Sequence, residues 1–333
     1  MMTKGKQLSF SDLEVMQNRK ITRAQKQLEK IEKLVDWQRL VETFSVIDKS
    51  GSVQGGRPRK ELIMMIKLLY IQYLYNLSDP ELEEQVNDRL SFQRFAGIGM
   101  QETVPDYSTI WRFKEALVKA DLLDRMFTMI LEMVEKKGLL VKKGTIVDAT
   151  IIPSTNRPLS KDKRKELEEK PSNQIDTEAT STAKNGKKYF GYKGHIGVDI
   201  ESKIIRNRKF TTASIHDSQV FGDVLSGDER SWFGDKAYAN QDLKRKARKT
   251  GIYYGILDKA TRSKKLSSQQ ETRNYKKSKV RAAVEHPFMW MKTKFGYVRT
   301  RARTLMRNRL AFDMNCIIYN LLRVDYLLSL NKG

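Results

Sequence analysis

Residues 145–151 read TIVDATI, and this β-rich stretch decides the fold class. Four more runs with strand composition follow it, at residues 191–200, 204–212, 231–233 and 252–256. Helical patterns lie between the later runs, at residues 218–225 and 241–249, and helices continue from about residue 272 to an apolar one at 310–328. The order of three strands, helix, strand, helix, strand and helices predicts an α/β fold with a sheet covered on both faces.

Asp148 interrupts the first of these strands, between Val147 and Ala149. A carboxylate in an otherwise apolar strand is costly to bury unless it is paired with a cation or bound to a metal. We therefore interpret Asp148 as a functional residue.

The part of the chain before the sheet is mostly helical in pattern. A linker is predicted at 51–56 (GSVQGG), and Pro58 suits the first turn of a helix that runs to about residue 77. Ser78 is predicted to cap the next helix, and Asp106 or Ser108 a later one.

These patterns predict two domains, a helical one at 1–140 and an α/β one at 141–333. Within the second, residues 153–188 are polar and contain almost no apolar side chains, which predicts a mobile loop. Such a loop would serve as a spacer or as a clamp on DNA.

The composition points to a polyanionic partner. The chain has 333 residues, 63 Lys and Arg against 40 acids, and a formal net charge of +23. Nucleic acid is the leading partner class. A membrane surface is the rival, but the longest apolar run, at 62–77, is interrupted by polar residues and reads as a buried helix. No signal peptide is evident, so we expect a cytoplasmic, nucleoid-associated bacterial protein.

Most of the positive charge lies in one segment. Residues 244–309 contain 21 Lys and Arg and only three acids. Five of the aromatic residues interleave with the basic ones: Tyr275, Phe288, Trp290, Phe295 and Tyr297. Such a composition is typical of a surface that contacts phosphates. The segment includes the candidate DNA-binding residues Lys294, Arg299, Arg301 and Arg303.

Glu285 stands inside this basic segment, where it is the only acid between Arg273 and Phe312. On a helix, Arg281 and Lys292 would lie within about 40° of it, on one face. A metal ligand beside a phosphate backbone and a salt-bridging surface residue both fit this pattern. Pro287 predicts a kink at 283–286.

Asp235 follows the predicted strand at 231–233, and the ends of strands are where α/β proteins place their sites. A turn residue in a Gly-Asp-Lys sequence is the alternative. Asp217, in the sequence His216-Asp217, competes for the role of second acid, although capping of the following helix explains it well.

Three acids from two strands and one helix could hold two Mg²⁺ ions roughly 3.5–4 Å apart, which suits an in-line phosphoryl displacement. Mg²⁺ prefers such oxygen ligands, and Mn²⁺ is able to substitute. With three histidines and one cysteine, a zinc site is not expected.

Several segments resemble DDE transposases of bacterial insertion sequences, most closely the insertion sequence five family. They include VPDYSTIWRF in the N-terminal half, and GTIVDATII, YFGYKGHIGVD, TTASIHDSQV, FGDKAY and RAAVEHPFMWMKTKFGYVRTRAR in the C-terminal half. The resemblance implies an RNase-H-like mixed sheet, with Asp148, Asp235 and Glu285 as catalytic metal ligands. It also implies that Arg281 and Lys292 belong to the family signature, whose tyrosine position is Ser278 in this chain.

The resemblance further implies an activity, a metal-dependent transposase that cleaves double-stranded DNA at terminal inverted repeats and joins the ends to target DNA. Because two ends must be joined, a homodimer is expected in the synaptic complex. Two alternatives stay open: a catalytically inactive or host-adopted DNA-binding protein, and an RNase-H-like nuclease without strand transfer.

Overall fold

The computed structural model describes residues 21–48, 60–99, 101–170, 172, 174–184, 186–260 and 265–330. The predicted linker at 51–56 and the helix start at Pro58 lie outside the described residues. The chain divides into two compact units, Met1–Met126 and Phe127–Gly333. This division falls before the boundary predicted at residue 140, within a helix that spans Leu123–Lys136.

The described part of the N-terminal unit is helical. Its helices are α1 (Arg23–Leu34), α2 (Trp37–Asp48), α3 (Leu62–Leu74), α4 (Asp79–Asp88), α5 (Leu90–Ala96) and α6 (Tyr107–Lys119). Ser78 caps α4 as predicted, because its side chain accepts from the backbone of Glu81 while the Glu81 carboxylate accepts from the backbone of Ser78 at 2.6 Å. Of the two predicted caps for α6, the structure selects Asp106, which accepts from the Thr109 backbone at 2.7 Å.

Helix α3 is the core of this unit and confirms the predicted buried helix. Almost all of its side chains are buried, including Ile66, Leu69 and Ile71. Lys67 is buried with them, since its ammonium pairs with Glu32 at 2.7 Å and lies 5.1 Å from the centre of the Trp37 ring. Among the described residues, no helix combines the length and apolarity needed to cross a membrane.

The C-terminal unit is built on a six-stranded mixed sheet. Its elements are α7 (Leu123–Lys136), β1 (Thr145–Pro153), α8 (Lys161–Glu169), β2 (Thr180–Lys184), β3 (Lys187–Asp199), β4 (Ile205–Thr212), β5 (Ser231–Gly234), α9 (Gln241–Thr250), β6 (Tyr253–Ile256), α10 (Ser268–Arg281), α11 (Glu285–Thr293) and α12 (Leu305–Leu330). Strand β1 is central: it pairs antiparallel with β3, and parallel with β5, which in turn pairs parallel with β6. Strands β2 and β4 both pair antiparallel with β3. This confirms the predicted α/β class.

Helix α12 covers one face of the sheet and is buried along most of its length. It packs so closely that a side chain at Gly194 of β3 would lie 2.3 Å from the Phe312 ring. The Asn320 amide both accepts from and donates to the backbone of Ile205 at 2.9 Å, which satisfies the exposed edge of β4. A two-bond ion pair joins Arg208 of β4 to Asp313 of α12, at 3.0 and 3.2 Å.

An apolar cluster covers the other face of the sheet. It joins Val147 of β1 and Trp232 of β5 to Phe221, Val224 and Tyr238. The helix predicted at 218–225 is replaced by two short 3-10 turns, Asp217–Gln219 and Gly222–Val224. The close approach of this segment to β3, where a side chain at Gly197 would meet the Val224 carbonyl at 2.1 Å, leaves little room for a full helix.

The prediction of a polar loop at 153–188 is wrong, because this segment contains α8 and β2. Strand β2 forms because its backbone pairs with β3, which needs no apolar side chains. Asp176 anchors the stretch between them: it is buried, and its Oδ1 accepts from the Tyr192 hydroxyl at 2.7 Å and from the Ala179 backbone at 3.1 Å. A few buried contacts are therefore enough to order a segment that lacks a core of its own.

Candidate active site

Asp148 and Asp235 lie on neighbouring parallel strands. The register pairs Val147 of β1 with Gly234 of β5, and the residue that follows each of them is an aspartate. Strand β5 ends at Gly234, and the Asp235 side chain turns to accept from the Ala237 backbone at 2.6 Å. The parallel register therefore places the first two predicted acids side by side, with Asp148 inside β1 and Asp235 directly after the end of β5.

The environment of Asp148 disfavours its negative charge. Burial raises the pKa of this carboxyl, and the nearby charge of Asp235 raises it further. The Ala149 backbone N–H and the Arg281 guanidinium act in the opposite direction but do not cancel the effect. A buried carboxylate beside a second carboxylate favours the approach of a cation.

Arg281 supplies part of that positive charge. Its Nη1 donates to Asp148 Oδ2 at 2.9 Å, and its Nη2 lies 3.6 Å from Glu285 Oε1. The Arg281 and Asp148 side chains are 25% and 20% exposed, whereas Glu285 is 67% exposed. The guanidinium therefore bridges the first and third predicted acids.

The kink predicted near Glu285 is present as a break between two helices. Helix α10 ends at Arg281, a 3-10 turn spans Ala282–Val284, and α11 begins at Glu285. Pro287 falls in the first turn of α11, where a missing N–H breaks no hydrogen bond. The break lets Arg281 reach β1 while Glu285 opens a new helix.

Two lysines lie near Asp148. Partial burial lowers the pKa of Lys292, the Lys184 charge lowers it further, and Asp148 opposes both effects. Lys184 is the last residue of β2 and is exposed. Sequence reasoning missed it, because it lies in the segment predicted to be a loop and only the β2–β3 pairing positions it.

A divalent cation fits the donors at this site, although the three acids do not form a closed group. Within the described ranges, no three His, Cys, Asp or Glu side chains lie close enough together to hold a metal ion. Asp148 and Asp235 supply carboxylate oxygens, the ligands that Mg²⁺ prefers. Glu285 has an exposed, rotatable side chain, but it contacts Arg281 instead.

Asp217 has a different set of contacts. The capping role expected of it belongs to His216, whose ring nitrogen accepts from the Ser218 backbone. The Asp217 carboxylate instead pairs with Lys193 at 2.9 Å, and both side chains are mostly buried. An ion pair of this kind accounts for Asp217 without a catalytic role.

Tyr238 was missed by sequence reasoning. It is buried between Asp235 and the apolar cluster, and its hydroxyl has no hydrogen-bond partner in the structure. Burial raises the pKa of this phenol well above its usual range, and the charges of Asp217, Asp148 and Asp235 raise it further. The hydroxyl thus lies within electrostatic reach of both Asp148 and Asp235.

The candidate DNA-binding residues Lys294, Arg299, Arg301 and Arg303 are all exposed. The loop that carries three of them is fixed to the end of β1, since the Thr300 backbone donates to the Pro153 carbonyl at 2.9 Å. Two aromatic residues that lie among these basic residues in the sequence, Phe295 and Tyr297, are buried. They therefore anchor the loop from inside and leave its cations on the surface.

Comparison with known families agrees with this architecture. The model of the Transposase DDE domain matches residues 140–321, which is more than half of the chain. The model of the Transposase domain (DUF772) matches residues 15–116. The chain therefore belongs to the DDE transposases, enzymes that cleave and transpose DNA, and its mixed sheet is the RNase-H-like fold of that family.

Proposed function

We propose that Asp148, Asp235 and Glu285 are the catalytic carboxylates of this transposase and that they hold Mg²⁺, for which Mn²⁺ is able to substitute. The observation that carries this assignment is the adjacency of Asp148 and Asp235 across two parallel strands, with Arg281 joining Asp148 to Glu285. Bound there, a divalent cation would supply Lewis-acid stabilisation of the attacking and leaving oxygens.

The chain's own residues then position the DNA. Arg281 and Lys292 lie beside Asp148 and would hold phosphate oxygens on either side of the bond that breaks. Lys294, Arg299, Arg301 and Arg303 extend this positive surface along the DNA backbone. Their phosphate contacts would fix the position of the DNA strand, and the carboxylates would act on its scissile phosphodiester.

Membership of the DDE transposases implies two successive displacements. A water molecule attacks the phosphodiester at the element's end, and the leaving group is the 3′-hydroxyl of that end. The freed 3′-hydroxyl then attacks a phosphodiester of the target, which releases a second 3′-hydroxyl and joins the strands.

The helical N-terminal unit would recognise the terminal inverted repeats in double-stranded DNA. We also place the chain among bacterial insertion-sequence transposases of the insertion sequence five family, because the motifs around all three acids resemble that family. Since each transposition joins two ends, we expect a homodimer at synapsis, acting on nucleoid DNA in the cytoplasm.

The test is end cleavage and strand transfer by purified full-length protein, with duplex ends and a target in Mg²⁺. Asp148→Asn, Asp235→Asn and Glu285→Gln should each abolish both reactions, with circular dichroism unchanged. Asp217→Asn is the matched control and should keep activity, because its carboxylate pairs with Lys193. Activity lost in Asp217→Asn but kept in Asp235→Asn would transfer the role of second acid to Asp217.

The same assay separates the alternatives. A nuclease without strand transfer would cut the ends but leave the target intact. A catalytically inactive DNA-binding protein would bind the ends and cut neither. Either result with the wild-type chain would contradict the proposal.

A further inference from the structure

A cavity of about 370 Å³ opens between α11 and α12, away from the carboxylates. It is lined by the side chains of Lys203, His286, Trp290, Tyr319, Arg323 and Tyr326. Its size is within the range of about 300–1,000 Å³ typical of small-molecule sites. Aromatic rings and cations together account for nearly all of this lining.

The aromatic walls offer flat faces at several angles. The rings of His286 and Trp290 are 5.5 Å apart and 35° from parallel, and the Tyr319 ring stands 6.0 Å from Trp290 at 86°. The His286 ring also contacts the Tyr319 hydroxyl at 2.8 Å, which holds it in place. Trp290 is only partly buried, so part of its ring is open to the cavity.

The cavity carries positive charge from Lys203 and Arg323. Among the described residues, neither Lys203 nor Arg323 has a carboxylate partner. Arg323 donates its Nε to the Ser202 carbonyl at 2.7 Å and lies 4.9 Å from the centre of the Tyr326 ring. Burial and these two cations lower the pKa of His286 to about 4, so the imidazole stays neutral at physiological pH.

The backbone is strained to place Lys203 at this rim. Lys203 has a left-handed conformation, with φ at 59°, in the turn between β3 and β4. Its carbonyl accepts from the Tyr319 hydroxyl at 2.9 Å, and its N–H donates to the Asp199 carbonyl at 3.0 Å. Such strain persists where the surroundings fix it and is concentrated at binding sites.

Helix α11 carries residues of both the carboxylate site and the cavity. At 100° per residue, His286 and Trp290 lie about 100–160° around the helix from Glu285 and Lys292. One side of α11 therefore faces the carboxylates and the other faces the cavity.

We propose that this cavity binds a nucleotide, with its base stacked on Trp290 and its phosphate held by Lys203 and Arg323. Stacking on aromatic rings beside cations is how proteins hold unstacked bases of single strands. The inference rests on DNA being the substrate of this enzyme. The nucleotide would come from an unpaired position of the bound DNA or from free nucleotide, which share this chemistry.

The experiment measures binding of the full-length protein to fluorescent duplexes in EDTA. One duplex carries a single-stranded thymidine overhang, and a second carries an abasic overhang of equal length. We expect the first to bind about tenfold more tightly and to quench Trp290 emission. Without divalent metal, a wrong carboxylate assignment would not change this result.

Two variants and one control locate the effect. Trp290→Leu should remove the preference for the overhang with bases, whereas Trp111→Leu, at an exposed tryptophan of the other unit, should keep it. Lys203→Asn tolerates the left-handed backbone and should weaken binding of the overhang several-fold without altering the fold. Free thymidine monophosphate that displaces the overhang at micromolar concentration would identify free nucleotide as a ligand of the same cavity. Equal binding of the two duplexes by the wild type, or an unchanged preference in Trp290→Leu, would overturn the proposal.

Discussion

Replacing Arg281 by glutamine tests how much the contact of its guanidinium with Asp148 stabilises the folded protein. The guanidinium donates to Asp148 at 2.9 Å, and both side chains are mostly buried. A hydrogen bond between charged groups contributes about 1.5–3 kcal/mol, and the 3.6 Å contact with exposed Glu285 adds little. We expect Arg281→Gln to lower the free energy of unfolding by about 2 kcal/mol, which is about 4–8 °C in Tm for a unit of this size.

The sign of the pH dependence follows from Asp148. Its pKa is already raised in the folded state, and loss of Arg281 removes an effect that lowers it. Between the ordinary pKa of aspartate and this raised pKa, Asp148 of the folded variant holds a proton that the unfolded chain has lost. The free energy of unfolding of the variant therefore falls as pH rises through this range. The destabilisation should be complete at pH 7.5 and should shrink as pH falls through the raised pKa.

A divalent cation should reverse the loss. Arg281→Gln frees Asp148 Oδ2, so Mg²⁺ at 100 times its Kd should restore about 2.7 kcal/mol. Thermal unfolding in EDTA and in Mg²⁺ measures both effects. Arg273→Gln is the matched control on α10: its contact with Asp258 is 3.7 Å and half exposed, so it should change stability by about 1 kcal/mol or less. At one Mg²⁺ concentration the shift should be larger in Arg281→Gln than in the wild type, and equal shifts would refute the reasoning.

Three further predictions concern the supporting structure. Tyr238→Phe removes a buried hydroxyl that has no partner, so it should raise stability by about 1 kcal/mol in urea unfolding; a loss of that size would show that the hydroxyl is bonded. Asp313→Asn breaks the buried ion pair with Arg208 and should lower the free energy of unfolding in guanidinium by about 3–5 kcal/mol. A loss under about 1 kcal/mol would mean that this pair does not hold α12 to the sheet. Burial lowers the pKa of His286 to about 4 in the folded protein. As pH falls from about 6.5 to 4, the imidazole is protonated in the unfolded chain but still neutral in the folded one, so stability is lost over this range. His286→Gln should reduce that loss in thermal unfolding between these pH values, and an unchanged pH slope would count against it.

Much of the fold was predictable because local signals agreed with it. The strands around TIVDATI, the helix cap at Ser78 and the buried helix α3 all follow from residue patterns and were confirmed. The segment at 153–188 was not, because β2 depends on backbone pairing with β3 and on one buried carboxylate, Asp176. Neither leaves an apolar pattern in the sequence.

The candidate site divides in the same way. Asp148 could be recognised alone, since its apolar strand makes a carboxylate costly. The adjacency of Asp235 depends on the parallel register of β1 and β5, and the reach of Arg281 depends on the helix break before Glu285. Lys184 and Tyr238 come close to Asp148 only through tertiary folding, so no sequence spacing reveals them.

The central claim, that Asp148 and Asp235 hold the catalytic cation, is tested most directly by exchanging oxygen for sulfur. Asp148→Cys and Asp235→Cys would each place a thiolate where a carboxylate stands, and sulfur binds Mg²⁺ poorly but accepts Mn²⁺ better. The measurement is end cleavage by each variant in Mg²⁺ and in Mn²⁺, beside the wild type and Asp217→Cys. We predict that both variants are inactive in Mg²⁺ and regain cleavage in Mn²⁺, while Asp217→Cys is active in both. Cysteine variants of Asp148 and Asp235 that cleave equally well in the two metals would contradict the assignment.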